Sequence, residues 1–223
     1  MTNNHLKIAF YGGSFDPPHV GHLAIGRALL KQFRLDEFVF VPAFHAPHKK
    51  RRKPTPAYDR YAMLCLATQY DNDISVSRME IEMPEKPYSY ETLTRLNELL
   101  PTAEIYFVIG ADSWMEITTW RRWEEVLSLS NHVVVTRPGI EIGFDHVTEE
   151  IRERIVDVRG REYVDTSGDE SPANRHRIYI TDAVNVPASA TDIRRMISEG
   201  DEDWLTQVPK EVANYIQKYD IYY

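Results

Sequence analysis

The chain has 223 residues, one cysteine and a formal net charge of -8 at pH 7. That length suits one large domain, or one domain with a small appendage; the lone Cys65 excludes an internal disulfide, and the acidic balance argues against a general nucleic-acid binder. No apolar run approaches the roughly 18 residues of a membrane span, and Met1-Thr2-Asn3-Asn4-His5 lacks the basic and apolar regions of a signal peptide, so a cytoplasmic protein is expected.

Leu6 to Tyr11 predicts a buried strand and Val20 to Phe33 a helix. The joint between them reads Gly12-Gly13-Ser14-Phe15-Asp16-Pro17-Pro18-His19-Val20-Gly21-His22. Packing alone does not explain two glycines, two prolines and two histidines at one crossing. Glycines let a backbone approach a ligand closely. A helix starting near Val20 points its N–H groups and positive dipole end at the same spot. His19 and His22, three apart, share one side of that start. The joint therefore reads as a phosphate site carrying two imidazoles.

Glu37 to Pro42 predicts a second strand, followed by the basic run His48-Lys49-Lys50-Arg51-Arg52-Lys53. That run reads either as a solvated loop or as a phosphate-attracting rim. Ala57 to Tyr70 predicts a helix, Ile74 to Ser77 a strand, and Ser89 to Leu100 a helix capped by Ser89 and stopped by Pro101. Glu104 to Ile109 predicts a strand ending at Gly110, Trp120 to Leu129 a helix, and His132 to Thr136 a strand closed by Arg137-Pro138-Gly139. In the interval 140–177, Ile151 to Ile155 has helical character, and Asp165 to His176 is turn-rich and polar, a surface loop or a partly disordered stretch. Ile178 to Thr181 and Val184 to Pro187 are strand-like; Ser189 to Glu199 predicts a helix stopped by Gly200, and Pro209 to Tyr219 a last one.

Strands alternating with helices imply βαβ units and a parallel sheet covered on both faces. The expected fold is α/β, a Rossmann-like doubly wound parallel sheet in a single domain (core 6–187) with a small C-terminal helical extension (188–223). A dehydrogenase is the generic reading of such a layout. The Gly-x-Gly-x-x-Gly spacing and a Walker A loop are both absent, so the site must carry the functional reading.

A second phosphate cradle lies at Ala188-Ser189-Ala190-Thr191-Asp192-Ile193-Arg194. Ser189, three before Asp192, makes an acidic variant of a capping box. Thr191 and Arg194 add a hydroxyl and a guanidinium to that helix start.

The joint at 12–22 resembles the nucleotidyltransferase superfamily, with its (T/H)-x-G-H element after the first strand, and within it the bacterial nicotinate mononucleotide adenylyltransferases. The resemblance implies joining of ATP and nicotinate mononucleotide to give nicotinate adenine dinucleotide and pyrophosphate, a step of NAD synthesis. It makes His19 and His22 the catalytic pair. It places Gly12, Gly13, Ser14 and Phe15 at the ATP phosphates, together with Lys49 of Pro42-x-x-x-x-Pro47-His48-Lys49; Arg137, after its strand, is implied at the adenosine or phosphate side of ATP. The family's Ile-Ser-Ser-Thr-x-Ile-Arg motif adds Ser189, Thr191 and Arg194; Ala188 and Ala190 depart from it. On the pyridine side it implies Tyr88 and Ser89, Gly110 and Asp112 of a Gly-Ala-Asp element, and Trp120, whose indole suits an electron-poor ring. Mg²⁺ is expected with ATP, no metal is expected on the protein itself, and a homo-oligomer is compatible with the resemblance. The match runs from Ile8 to about Gly139 and from Val184 onward; the interval between has no counterpart.

Two rivals come from other classes. His19, His22, His45 and His48 offer four imidazoles to zinc, yet structural zinc sites usually recruit cysteine, and Gly21 and the Pro-Pro pair have no role in such a site. A nucleotide-binding regulator would need the same cradles but not both histidines.

Overall fold

The computed structural model describes residues 5–44, 54–83, 87–136, 142–166, 176–184 and 186–223. Its strands are β1 (Lys7–Gly13), β2 (Glu37–Pro42), β3 (Ile74–Val76), β4 (Glu104–Gly110), β5 (Asn131–Val135), β6 (Ile155–Asp157) and β7 (Ile178–Thr181). They form one sheet in the order β3-β2-β1-β4-β5-β7-β6. The pairings β1 with β4, β4 with β5, β5 with β7 and β6 with β7 are all parallel. Parallel strands buried on both faces read as unbroken apolar runs. Phe38-Val39-Phe40-Val41 in β2 and Ile105 to Ile109 in β4 are such runs, and all are buried. Strand order reverses between β1 and β4, where Tyr11 pairs with Val108. In doubly wound sheets, ligands bind beyond the carboxyl ends of strands at that reversal.

The helices are α1 (Val20–Gln32), α2 (Ala57–Thr68), α3 (Ser89–Leu99), α4 (Ala111–Met115), α5 (Trp123–Val126), α6 (Glu149–Arg152), α7 (Ala190–Glu199) and α8 (Lys210–Lys218). The α/β sheet expected from the sequence is therefore present. Three local expectations are corrected. Trp120 to Leu129 is not one helix: Trp120 is extended at ψ 143° and Arg122 is left-handed at φ 56°, so only α5 remains. Ile155 opens β6, an edge strand beside β7, and the helix before it is a single turn. Val184 to Pro187 forms no strand among its described residues.

The chain groups into two compact units, each built from discontinuous stretches. The first comprises Met1–Tyr11, Ala28–Phe38 and Pro87–Asn185. Its core holds Phe33 edge-on to Tyr179 at 5.2 Å and tilted against Tyr106 at 5.8 Å. The second comprises Gly12–Arg27, Val39–Lys86 and Val186–Tyr223. There Met63 and Leu64 of α2, Ile193 of α7 and Val212 and Ile216 of α8 are fully buried.

Candidate functional site

In the second unit, the joint that ends β1 is shaped by one aromatic ring. Phe15 has φ 45°, a left-handed conformation rare for a bulky residue. Its ring is 2% exposed, edge-on to Phe40 at 5.2 Å and to His22 at 4.9 Å. A Cβ on Gly13 would lie 2.8 Å from Cζ of that ring, so the glycine is demanded by close approach. Phe15 thus presents backbone to any ligand, while its side chain supports His22 from behind. The Asp16–Pro17 peptide is cis.

His19 is buried and His22 half-buried, with rings stacked at 3.6 Å between centroids and 23° between planes. The backbone N–H of His19 donates to Nδ1 of His22 at 3.2 Å. An Nδ1 that accepts cannot carry a proton, so neutral His22 holds its hydrogen on Nε2. The helix start contributes less than the sequence implies. Val20 N–H is bound to Gln207 O at 2.9 Å, and the N–H groups of His22 and Leu23 to His19 O. An anion at this joint would meet the imidazoles rather than these three engaged amides.

Arg60 of α2 organises the same joint from beneath. It is 1% exposed. Its guanidinium donates to the carbonyls of Thr55 (2.9 Å), Ser14 (2.6 Å) and Ala43 (2.6 Å). Burial pushes its pKa down, and the nearby Asp16 carboxylate opposes that shift. Helix periodicity cannot separate such an arginine from a surface one; the nearest signal was a charge beside the apolar face Ala57, Met63, Leu64.

The second cradle meets the first. Ser189 caps α7, its hydroxyl accepting from Asp192 N–H at 3.4 Å. Arg194 donates to the Asp16 carbonyl at 2.5 Å and to the Thr191 hydroxyl at 3.2 Å. Among the described residues, two of its five donors are used in these bonds. Asp16 is held a second time: the Tyr222 hydroxyl donates to its carboxylate at 2.6 Å. Burial, and then that carboxylate, push the Tyr222 phenol well above its usual pKa. Asp16, Arg60 and Tyr222 were not singled out from the sequence. Gly12, Gly13, Ser14, His19, His22, Ser189, Thr191 and Arg194 were, and all lie in this unit.

The first unit holds the other group of expected residues. α3 begins at Ser89, and its cap is Tyr88, not Ser89 as expected from the sequence. The Glu91 carboxylate reaches back to accept from Tyr88 N–H at 3.0 Å. This leaves the Ser89 hydroxyl clear of a capping duty. Tyr88 is 49% exposed, with the Arg121 guanidinium 5.2 Å from its ring centre. Arg121 also pairs with Glu91 at 3.6 Å, and Arg122 lies 3.6 Å over the Tyr90 ring. These contacts fasten the Trp120 turn to the start of α3. Gly110 caps α4 at φ -78°, and a Cβ there would meet nothing within 4 Å. Among the described residues, neither strain nor packing requires that glycine. Asp112 is exposed in the first turn of α4, and Trp120 is half-buried. Trp114 is a core residue, fully buried, with its indole N–H on Gly143 O at 3.0 Å.

Lys49 and Arg137, with His45 and His48, lie outside the described residues. Among the described residues, no group of three or more His, Cys, Asp or Glu is placed to hold a metal ion.

A family model described as Cytidylyltransferase-like matches residues 10–196. A protein of Thermoanaerobacter sp. (strain X514) named "Probable nicotinate-nucleotide adenylyltransferase" is 34% identical over 219 residues, covering 97% of this chain and 94% of that one. A Corynebacterium glutamicum protein of the same name is 34% identical over 221 residues, 99% of this chain and 90% of that one. In structure, the chain is similar to Plasmodium falciparum nicotinic acid mononucleotide adenylyltransferase complexed with NaAD, with TM-score 0.71, 19% identity and 98% of each chain covered. At that identity the likeness speaks to the fold.

Proposed function

The chain belongs to the cytidylyltransferase-like family, and on that premise we propose that it joins ATP and nicotinate mononucleotide into nicotinate adenine dinucleotide and pyrophosphate. It is a nucleotidyltransferase of NAD biosynthesis. The choice of nicotinate mononucleotide follows the names of its relatives. The geometry that carries the reading is the Arg194 bond to Asp16 O, which joins the two phosphate cradles. The chain is read as a single nucleotidyltransferase domain, with 188–223 supplying Arg194.

The nucleophile needs no base, because a phosphate monoester with a second pKa of about 6 is largely dianionic at neutral pH. A phosphate oxygen of nicotinate mononucleotide attacks the α-phosphorus of ATP. The new P–O bond forms as the α–β bridging bond breaks, and pyrophosphate leaves with that electron pair. Catalysis then consists of placing two polyanions and stabilising charge on the attacked phosphate. His22 donates through Nε2–H, with His19 stacked beside it. Arg194, Thr191 and Ser189 hold the triphosphate, with the 12–15 backbone against it and Lys49 and Arg137 in supporting contacts. Tyr88, Ser89, Gly110, Asp112 and Trp120 receive the pyridine nucleotide. Mg²⁺ would enter with ATP and neutralise charge on the departing pyrophosphate. Among the described residues no helix is long and apolar enough to cross a membrane. The proposal includes a cytoplasmic location, where ATP is at hand.

The test is turnover with ATP, Mg²⁺ and either nicotinate or nicotinamide mononucleotide, with the dinucleotide separated and quantified. Strong preference for the nicotinate substrate is expected. Equal or reversed preference overturns the substrate assignment, and no product from either overturns the reaction.

A further inference from the structure

Asp16 lies at the centre of an arrangement that the chemistry above does not use directly. Its side chain and its backbone are gripped from different parts of the chain. The carboxylate accepts from Tyr222 at 2.6 Å, and the carbonyl accepts from Arg194 at 2.5 Å. Asp16 is 6% exposed and Tyr222 8% exposed, so water does not replace the phenol as donor. The Thr55 hydroxyl also bonds the Tyr222 phenol, and Thr55 O is one of the carbonyls held by Arg60. Tyr222 adopts φ 75°, an uncommon conformation for an aromatic residue, which persists only when the surroundings over-determine it.

Between Asp16 and His19 stand only Pro17 and Pro18. Their rings fix φ at two successive residues, so this short segment transmits a displacement at one end to the other. At its far end, the His19 N–H holds the His22 ring. We propose that Tyr222 is a positioning residue for the reaction: by holding the Asp16 carboxylate it sets, through the Pro17-Pro18 strut, where His19 and His22 stand. The inference rests on the adenylyltransferase reading above.

Tyr222→Phe removes one hydroxyl and keeps the ring. It leaves a buried carboxylate short of its donor, which costs position at the reacting centre. The expected result is a fall in kcat of about tenfold, with KM for both substrates within about twofold. Labelled with ¹⁵N at histidine, the wild type should give a pure Nε2–H tautomer signal for His22, and the same variant should lose it. A purely structural tyrosine would lower the melting temperature and move neither readout; kcat within about twofold of wild type with an unchanged tautomer therefore overturns the proposal. Should Tyr222→Phe fail to fold, Asp16→Asn and Asp16→Leu decide. Asn keeps an oxygen to accept from Tyr222 and should retain more kcat than Leu; equal losses overturn the proposal. A wild-type protein that makes no dinucleotide overturns the reaction and this inference together, whereas an active wild type with a fully active Tyr222→Phe overturns the inference alone.

Discussion

A Cβ placed on Gly21 would lie 3.1 Å from two atoms of the His19 ring, so the helix residue between the two histidines sets how close that ring can come. The ring is buried and stacked on His22, and it yields only by moving the pair. Gly21→Ala should raise helix propensity by about 1 kcal/mol while lowering kcat about tenfold through the displaced imidazoles. Steady-state kinetics beside thermal denaturation checks it; a variant with wild-type kcat would show that the stack tolerates displacement.

His22→Ala removes the Nε2–H donor outright. Turnover should fall at least about 100-fold, the scale of losing one donor aimed at transition-state charge. ATP affinity, measured by calorimetry with a non-hydrolysable analogue, should stay near wild type. A loss of turnover below about tenfold would refute the assigned role.

Arg60→Leu tests the support under the loop. It leaves the carbonyls of Ser14, Ala43 and Thr55 without the guanidinium that binds them. These acceptors lie on half-buried residues, so each costs toward the low end of about 1–3 kcal/mol when orphaned, and urea denaturation should report a loss of about 3 kcal/mol. Lysine gathers its three donors on one nitrogen and cannot span three diverging carbonyls, so Arg60→Lys should recover less than half of the loss.

His132 predicts an acid limit to stability. The ring is fully buried in β5 with Nδ1 on Ser130 O at 3.0 Å, and its Nε2 has no hydrogen-bond partner among the described residues. Burial pushes its pKa down to about 3, from 6.5. Between those values the unfolded chain takes up a proton that the folded chain refuses. The contribution is therefore complete above pH 6.5 and is lost as pH falls toward about 3, at up to about 1.4 kcal/mol per pH unit. Denaturation midpoints across that range should fall less steeply in His132→Leu than in the wild type; parallel curves would contradict this.

The sheet was legible because its strands are short apolar runs set between helices with clear stops. β2 and α7 appear where the residues placed them, down to the Ser189 cap and the Gly200 terminus at φ 74°. The two histidines were legible because no packing demand accounts for that combination of residues. Arg60, Asp16 and Tyr222 were not, because their importance lies in contacts across long stretches of chain, and local spacing does not encode a tertiary partner. The broken helix at Trp120 was missed for a related reason. Its residues favour a helix, and the contacts of Arg121 and Arg122 with Glu91 and Tyr90 override that preference. The interval after β5 shows the same effect: His146 and Gly143 bind Trp114, an attachment that local sequence does not announce.

The bonds that fix Asp16 span 178 residues to Arg194 and 206 to Tyr222. Contacts this distant in sequence close late in folding, since the entropy of the intervening chain must be lost first. A growing chain emerging from the ribosome therefore carries the histidines long before it can hold them in place. On the proposed reading, competence waits on the stretch that carries Arg194 and Tyr222, which makes activity a sensitive reporter of how completely these distant segments have come together.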